Sequence, residues 1–142
     1  MTMTKKYKIL SKFVKDISSE TPNVETYLHV KDNISRYHLN IDISSKAIKN
    51  KLIEVNTKFS YIDPDEKSKK AFFEIIFATI IKLEEDVENK KDLEKIILCD
   101  VQIEIYPVLE KIFLNLLDVS GYPGIKFDKK IDFQELYNQR FN

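Results

Sequence analysis

The chain has 142 residues, enough for one domain with a real core, and 43% of them are hydrophobic, which excludes a disordered chain. Lys plus Arg number 23 and Asp plus Glu number 23. The formal net charge of zero leaves no global field for nucleic-acid phosphates, so nucleic acid is not an expected partner.

Residues 1–8 read as a frayed basic leader, and Ser11 and Lys12 break Ile9-Leu10 too soon for a signal-peptide core. From Ile9 to Ser19 the pattern is extended, and Pro22-Asn23 ends it with turn chemistry. Period-two alternation puts Asp16, Ser18 and Glu20 on one strand face, as a small docking patch or simply a solvated face. Tyr37, Leu39, Ile41 and Ile43 alternate with polar residues and predict a half-buried strand. Ile53, Val55, Thr57, Phe59 and Tyr61 predict another, and Asp63-Pro64-Asp65-Glu66 makes a turn that Lys67 to Lys70 carry into a third. An antiparallel hairpin follows from that arrangement.

The third strand is apolar on both faces: Phe73, Ile75, Phe77, Ile81 and Leu83 on one, Phe72, Ile76, Ala78 and Ile80 on the other. Only Glu74 and Lys82 interrupt it with charge. Such a strand must be covered twice. The chain's own helices can cover one side, and the sheet of a second subunit is the expected cover for the other, with a sandwich inside one subunit as the alternative. The run from Ile75 to Ile81 is the longest apolar stretch and too short to span a bilayer, so no membrane insertion is expected.

Glu84-Glu85-Asp86-Val87-Glu88 and Asn89-Lys90-Lys91 read as a solvated connection. A long amphipathic helix then starts near Asp92, capped by Asn89 or Asp92, and ends near Val119. Pro107 lies inside it, so a kink is expected around Ile103 to Pro107. Ser120-Gly121 stops the helix with a left-handed cap, and Asp132 opens a short second helix through Phe133, Leu136, Tyr137 and Phe141.

Signs of chemistry are sparse. His29 and His38 are the only histidines and Cys99 is the only cysteine, which gives no zinc spacing and no intrachain disulfide. Cys99 falls at a helix position where a thiol acts as a small hydrophobe. Gly121 and Gly124 are the only glycines, so no phosphate-cradling Gly-rich loop can be built. No catalytic residue, metal or cofactor is expected, and a cytoplasmic, reducing setting suits the single thiol.

Two signatures remain. Phe13, Lys15, Asp16, Ile17, Ser18, Glu20, Pro22 and Asn23 form one; Gly121-Tyr122-Pro123 followed by Asp132-Phe133 and Leu136-Tyr137 form the other, with Ile105-Tyr106-Pro107 between them. In this order they resemble the SecB family of bacterial protein-export chaperones. Ser19, Val108 and Val101-Gln102-Ile103 depart from the family's usual residues, and the neutral charge departs from its generally acidic composition.

The resemblance implies an α+β fold spanning residues 1–142: a four-stranded antiparallel sheet with a long kinked helix and a short C-terminal helix on one face. It implies a homotetramer, a dimer of dimers, that holds unfolded preproteins without ATP and passes them to the export motor SecA. By residue match, Asp16, Glu20, Phe72 and Glu74 would dock SecA. Phe13, Tyr27, Tyr106 and Phe113 are candidates for the peptide groove, with core or interface as their alternative. Two other readings stay open. One is a SecB-like chaperone of a toxin–antitoxin system. The other is a small α+β enzyme or ligand-binding domain with a pocket under the kinked helix.

Overall fold

A computed structural model describes residues 6–63, 71–84, 89–127 and 131–141. Strand β1 (Tyr7–Glu20) leads to helix α1 (Val24–Asn33) and a 3₁₀ turn (Ile34–Arg36). Strands β2 (His38–Ala47), β3 (Leu52–Ile62) and β4 (Phe72–Leu83) follow. Helix α2 (Lys90–Lys95) continues through a π-helical segment (Ile96–Asp100) into α3 (Val101–Val119), and α4 (Phe133–Phe141) comes last. The sheet is antiparallel in the order β1-β4-β3-β2, so the doubly apolar strand is central and β1 and β2 are edges. The expected α+β architecture is present.

The inner sheet face carries Ile53, Val55, Phe59 and Tyr61 of β3 opposite Phe73, Ile75 and Ile81 of β4, all buried. Ile105, Leu109, Phe113 and Leu117 of α3 close over them at helical spacing. Phe113 meets Phe59 and Tyr61 edge-on, with ring centroids 5.9 and 6.2 Å apart.

Strand β1 begins at Tyr7, inside the stretch expected to be frayed. Its ring is buried and its hydroxyl donates to the Glu104 carboxylate of α3. Burial, reinforced by that bond, raises the hydroxyl's pKa and keeps it protonated. Residues 1–5, the Pro64–Lys70 part of the expected turn and the acids at 85–88 lie outside the described residues.

Three local features differ from or sharpen the sequence reading. Helix α1 stands where only a turn was expected: Asn23 caps it by accepting from the Thr26 N–H at 2.8 Å, and Tyr27, Val30 and Ile34 form its inward stripe. The break in regular helix is the π segment at Ile96–Asp100, while α3 runs on in α form through Pro107. There the buried Gln102 side chain donates to the Ile97 carbonyl at 3.1 Å and accepts from the Thr57 hydroxyl at 3.0 Å, tying the helix to β3. Third, β2 and β3 are joined by a tight turn with both Asn50 and Lys51 at positive φ, the geometry that suits the twist of a hairpin.

The end of α3 explains one signature. Gly121 has φ of 107°. Its N–H bonds the Asp118 carbonyl and the Tyr122 N–H bonds the Leu117 carbonyl, a Schellman motif. A Cβ on Gly121 would stand 2.9 Å from Tyr27 Cε1. Tyr122 then stacks on Tyr27 (5.3 Å) and meets Phe73 edge-on (5.4 Å). The Tyr27 hydroxyl donates to the Gly121 carbonyl, and Ser19 and Thr21 lie in hydrogen-bond reach of Ser120 and Tyr122. The two signatures, a hundred residues apart, thus meet and lock β1, α1 and α3 together.

Candidate peptide-binding trough and outer sheet face

A concavity lies where α4 and described residues before it pass over edge strand β2. Asp132 caps α4, its carboxylate accepting from the Glu135 N–H at 3.0 Å, which fixes the helix start. Phe133 and Tyr137 are buried with Cys99, whereas Leu136 remains 47% exposed. Phe127 is anchored by rings of Tyr61 (5.7 Å) and Phe113 (6.2 Å).

Between these elements is a cavity of about 770 Å³ whose floor is Tyr37, Leu39, Ile41 and Tyr61 and whose far wall is Phe127, Ile131 and Leu136. Its rim is polar: Ser35, His38, Lys126, Asp132, Glu135 and Gln139. Two further hollows adjoin it. One of about 380 Å³ shares Phe127 and Ile131 and reaches Tyr106 and Pro107 of α3. Another of about 200 Å³ shares Ile41 and Leu136 and reaches Ile43, Leu98 and Tyr137. Together they make an apolar trough that winds around the start of α4.

The main chain of β2 borders this trough. Ile48 N–H donates to the Leu52 carbonyl at 2.8 Å, so the β2 positions bonded to β3 are the even-numbered ones. The N–H and C=O groups of Leu39, Ile41 and Ile43 therefore point away from β3, at the sheet edge. Their side chains meanwhile face the trough. An extended segment laid along β2 can pair its main chain there and drop alternate side chains into the hollows.

Two phenols of the trough and the thiol beside it are not set up for proton transfer. Burial, with the charge of Asp63 nearby, pushes Tyr37 up to about 12. Burial and the Glu110 carboxylate, 2.6 Å from its hydroxyl, raise Tyr106 as well. Both remain neutral phenols that present ring surface and a donor. Cys99 is buried, and burial raises its thiol above the ordinary range, which opposes a thiolate nucleophile. Among the described residues no group of His, Cys, Asp and Glu could hold a metal.

Of the four groove candidates, Tyr106 lines the second hollow. Phe113 is wholly buried and supports the floor from below. Tyr27 packs on Tyr122, away from the trough, and Phe13 is 44% exposed on the opposite sheet face. The trough's principal walls, Leu39, Ile41, Phe127, Ile131 and Leu136, were not singled out from sequence as a site. The four expected docking residues do come together. Ser18 pairs with Glu74 and Glu20 with Phe72, which sets Asp16, Glu20, Phe72 and Glu74 side by side at one end of the outer face.

The fold and this trough define an α+β protein with a long apolar trough beside an open strand edge. A family model described as preprotein translocase subunit SecB matches residues 2–142. A putative protein-export protein SecB of Pelagibacter ubique is 62% identical over 99% of this chain and all of its own length. Protein-export protein SecB of Parvibaculum lavamentivorans is 28% identical over 94% of this chain and 77% of its own. Among solved structures, a Mycobacterium tuberculosis SecB-like chaperone in complex with an antitoxin peptide superposes with a TM-score of 0.65. It is 12% identical, and the match covers 88% of this chain and 91% of that one. The chain belongs to the SecB family, a family of protein-export chaperones and not of enzymes. No helix among the described residues is long and apolar enough to cross a membrane.

Proposed function

We propose that this SecB-family chain is an ATP-independent holding chaperone of the cytoplasm. It binds unfolded preproteins as extended segments in the trough beside β2 and hands them to the SecA motor. The observation that carries the reading is the pairing of an apolar trough with an open strand edge along the same line. Side-chain hollows tolerate many sequences, and main-chain pairing reads none, which suits a client defined only by being unfolded. Several weak contacts on one homotetramer add through effective concentration, so avidity replaces specificity.

Leu136 is the wall residue to test, being exposed and outside the core. Leu136→Asp puts a charge in the trough and is expected to weaken binding of an unfolded precursor about tenfold, with the melting temperature unchanged. Fluorescence anisotropy with a labelled unfolded precursor measures this, and unaltered affinity would remove the trough from the mechanism.

For the motor, the docking residues are taken to be Asp16, Glu20, Phe72 and Glu74. Reversing the charge of Asp16 and Glu20 is expected to abolish SecA binding while sparing client holding. Pull-down with SecA in parallel with the anisotropy assay separates the two, and intact SecA binding would reject the site. The antitoxin-holding alternative draws on the M. tuberculosis neighbour, whose likeness at 12% identity concerns the fold alone.

A further inference from the structure

The two walls of the trough are carried by different parts of the fold. Leu39, Ile41 and Ile43 belong to β2, which the ladder with β3 fixes in the sheet. Leu136 belongs to α4, whose chief packing partner among the elements is the π segment. There Phe133 and Tyr137 enclose Cys99, and the Cys99 thiol donates to the Gln134 Oε1 at 3.4 Å. The Tyr137 hydroxyl donates to the Lys91 carbonyl of α2 at 3.4 Å, on the same stretch of helix. The width of the trough therefore depends on how the π segment is held against the sheet.

One side chain does that holding with polar bonds. In an α-helix the Ile97 carbonyl would accept from the Val101 N–H, but here that N–H bonds the Ile96 carbonyl instead. The Gln102 side-chain amide donates to the Ile97 carbonyl at 3.1 Å, and the Gln102 Oε1 accepts from the Thr57 hydroxyl at 3.0 Å. Gln102 and Thr57 are both buried, so a partner lost from this bridge leaves a polar group unpaired in the core. The place of the bridge is as telling as its bonds. Thr57 is the register partner of Ile43, and Ile97 adjoins Leu98 in the chain. Ile43 and Leu98 line the hollow of about 200 Å³, one from the strand and the other from the helix. The bridge thus joins, behind that hollow, the two parts of the fold that line it.

We infer that Gln102 is a positioning residue for client binding. Through Ile97 and Thr57 it fixes the π turn against β3, and so sets the separation of β2 from α4 across the trough. This rests on the reading of the trough given above. Gln102 is itself buried and acts only through the residues it holds. Removing its amide frees the wide turn to tighten, which shifts Leu98 and Cys99 and with them the seat of α4.

Cys99 is the chain's single cysteine and is wholly buried against α4, so its labelling by N-ethylmaleimide reports whether that seat holds. Gln102→Met keeps the length of the side chain and removes both bonds. Thr57→Val removes one of them, and Thr57→Ser keeps the hydroxyl. Without denaturant, the first two are expected to label about tenfold faster than the wild type or more. They are also expected to bind a labelled unfolded precursor several-fold more weakly, whereas Thr57→Ser matches the wild type in both measurements. Gly121→Ala, at the other end of α3, lowers stability without touching the bridge and should raise labelling only as far as its own stability loss does. Circular dichroism establishes that each variant folds, and Thr57→Val carries the test should Gln102→Met fail to. Labelling no faster than the stability loss accounts for would overturn the inference. So would faster labelling with unchanged client affinity, or a Thr57→Ser chain that behaves like Thr57→Val. Leu136→Asp, run beside them, keeps two failures apart. If it weakens client binding and the bridge variants do not, the inference alone falls; if it too binds normally, the trough reading falls and takes the inference with it.

Discussion

Gly121 shows how much can rest on one residue. It combines a left-handed backbone with a site where Tyr27 leaves no room for a Cβ, whereas Gly124, at φ of 81°, has nothing within 4 Å. Gly124→Ala should cost only the backbone term, roughly 1–2 kcal/mol. Gly121→Ala should cost more, because Tyr27 must also leave its place on Tyr122. Urea midpoints with unchanged m-values check the order; equal losses would mean that the Tyr27 contact contributes nothing. The helix stop was legible because a lone Gly after an amphipathic run is a local signal. Its contact with Tyr27 was not, since ninety-four residues separate the partners. The Thr57–Gln102–Ile97 bridge was illegible for the same reason: a polar residue inside a helical pattern does not reveal the strand it will meet.

Among the elements, the strands were the most legible, because alternation over ten residues fixes both period and face. The register bears this out, with Asp16, Ser18 and Glu20 all on the outer face. Helix α1 was missed although Tyr27, Val30 and Ile34 are spaced for it, since neighbouring Val24 and Leu28 are exposed and blur the stripe. The trough was the least legible feature. Its walls come from β2, the segment before α4 and α4 itself, each of which reads alone as an ordinary amphipathic or connecting stretch. The edge role of β2 yields a test at this scale. Ile41→Pro removes an N–H that points away from β3 and so should spare the β2–β3 ladder. It is expected to lower client affinity several-fold more than Ile41→Ala, which keeps the N–H. Equal effects of the two, by anisotropy, would show that only the side chain matters.

For the whole molecule, the sequence pattern of β4 already required cover on both faces, and the structure shows the chain's helices supplying one of them. The other face stays open in the single chain, on the side of the sheet away from the trough. Zero net charge sets this chain apart from the generally acidic composition of the family it resembles. The proposed function makes this chain a homotetramer that holds unfolded chains destined for export. The most direct measurement is light-scattering mass on a sizing column, alone and with a slowly folding secretory precursor. A tetramer that co-elutes with the unfolded precursor and ignores its folded form is the predicted result; a monomer that binds neither form would contradict it.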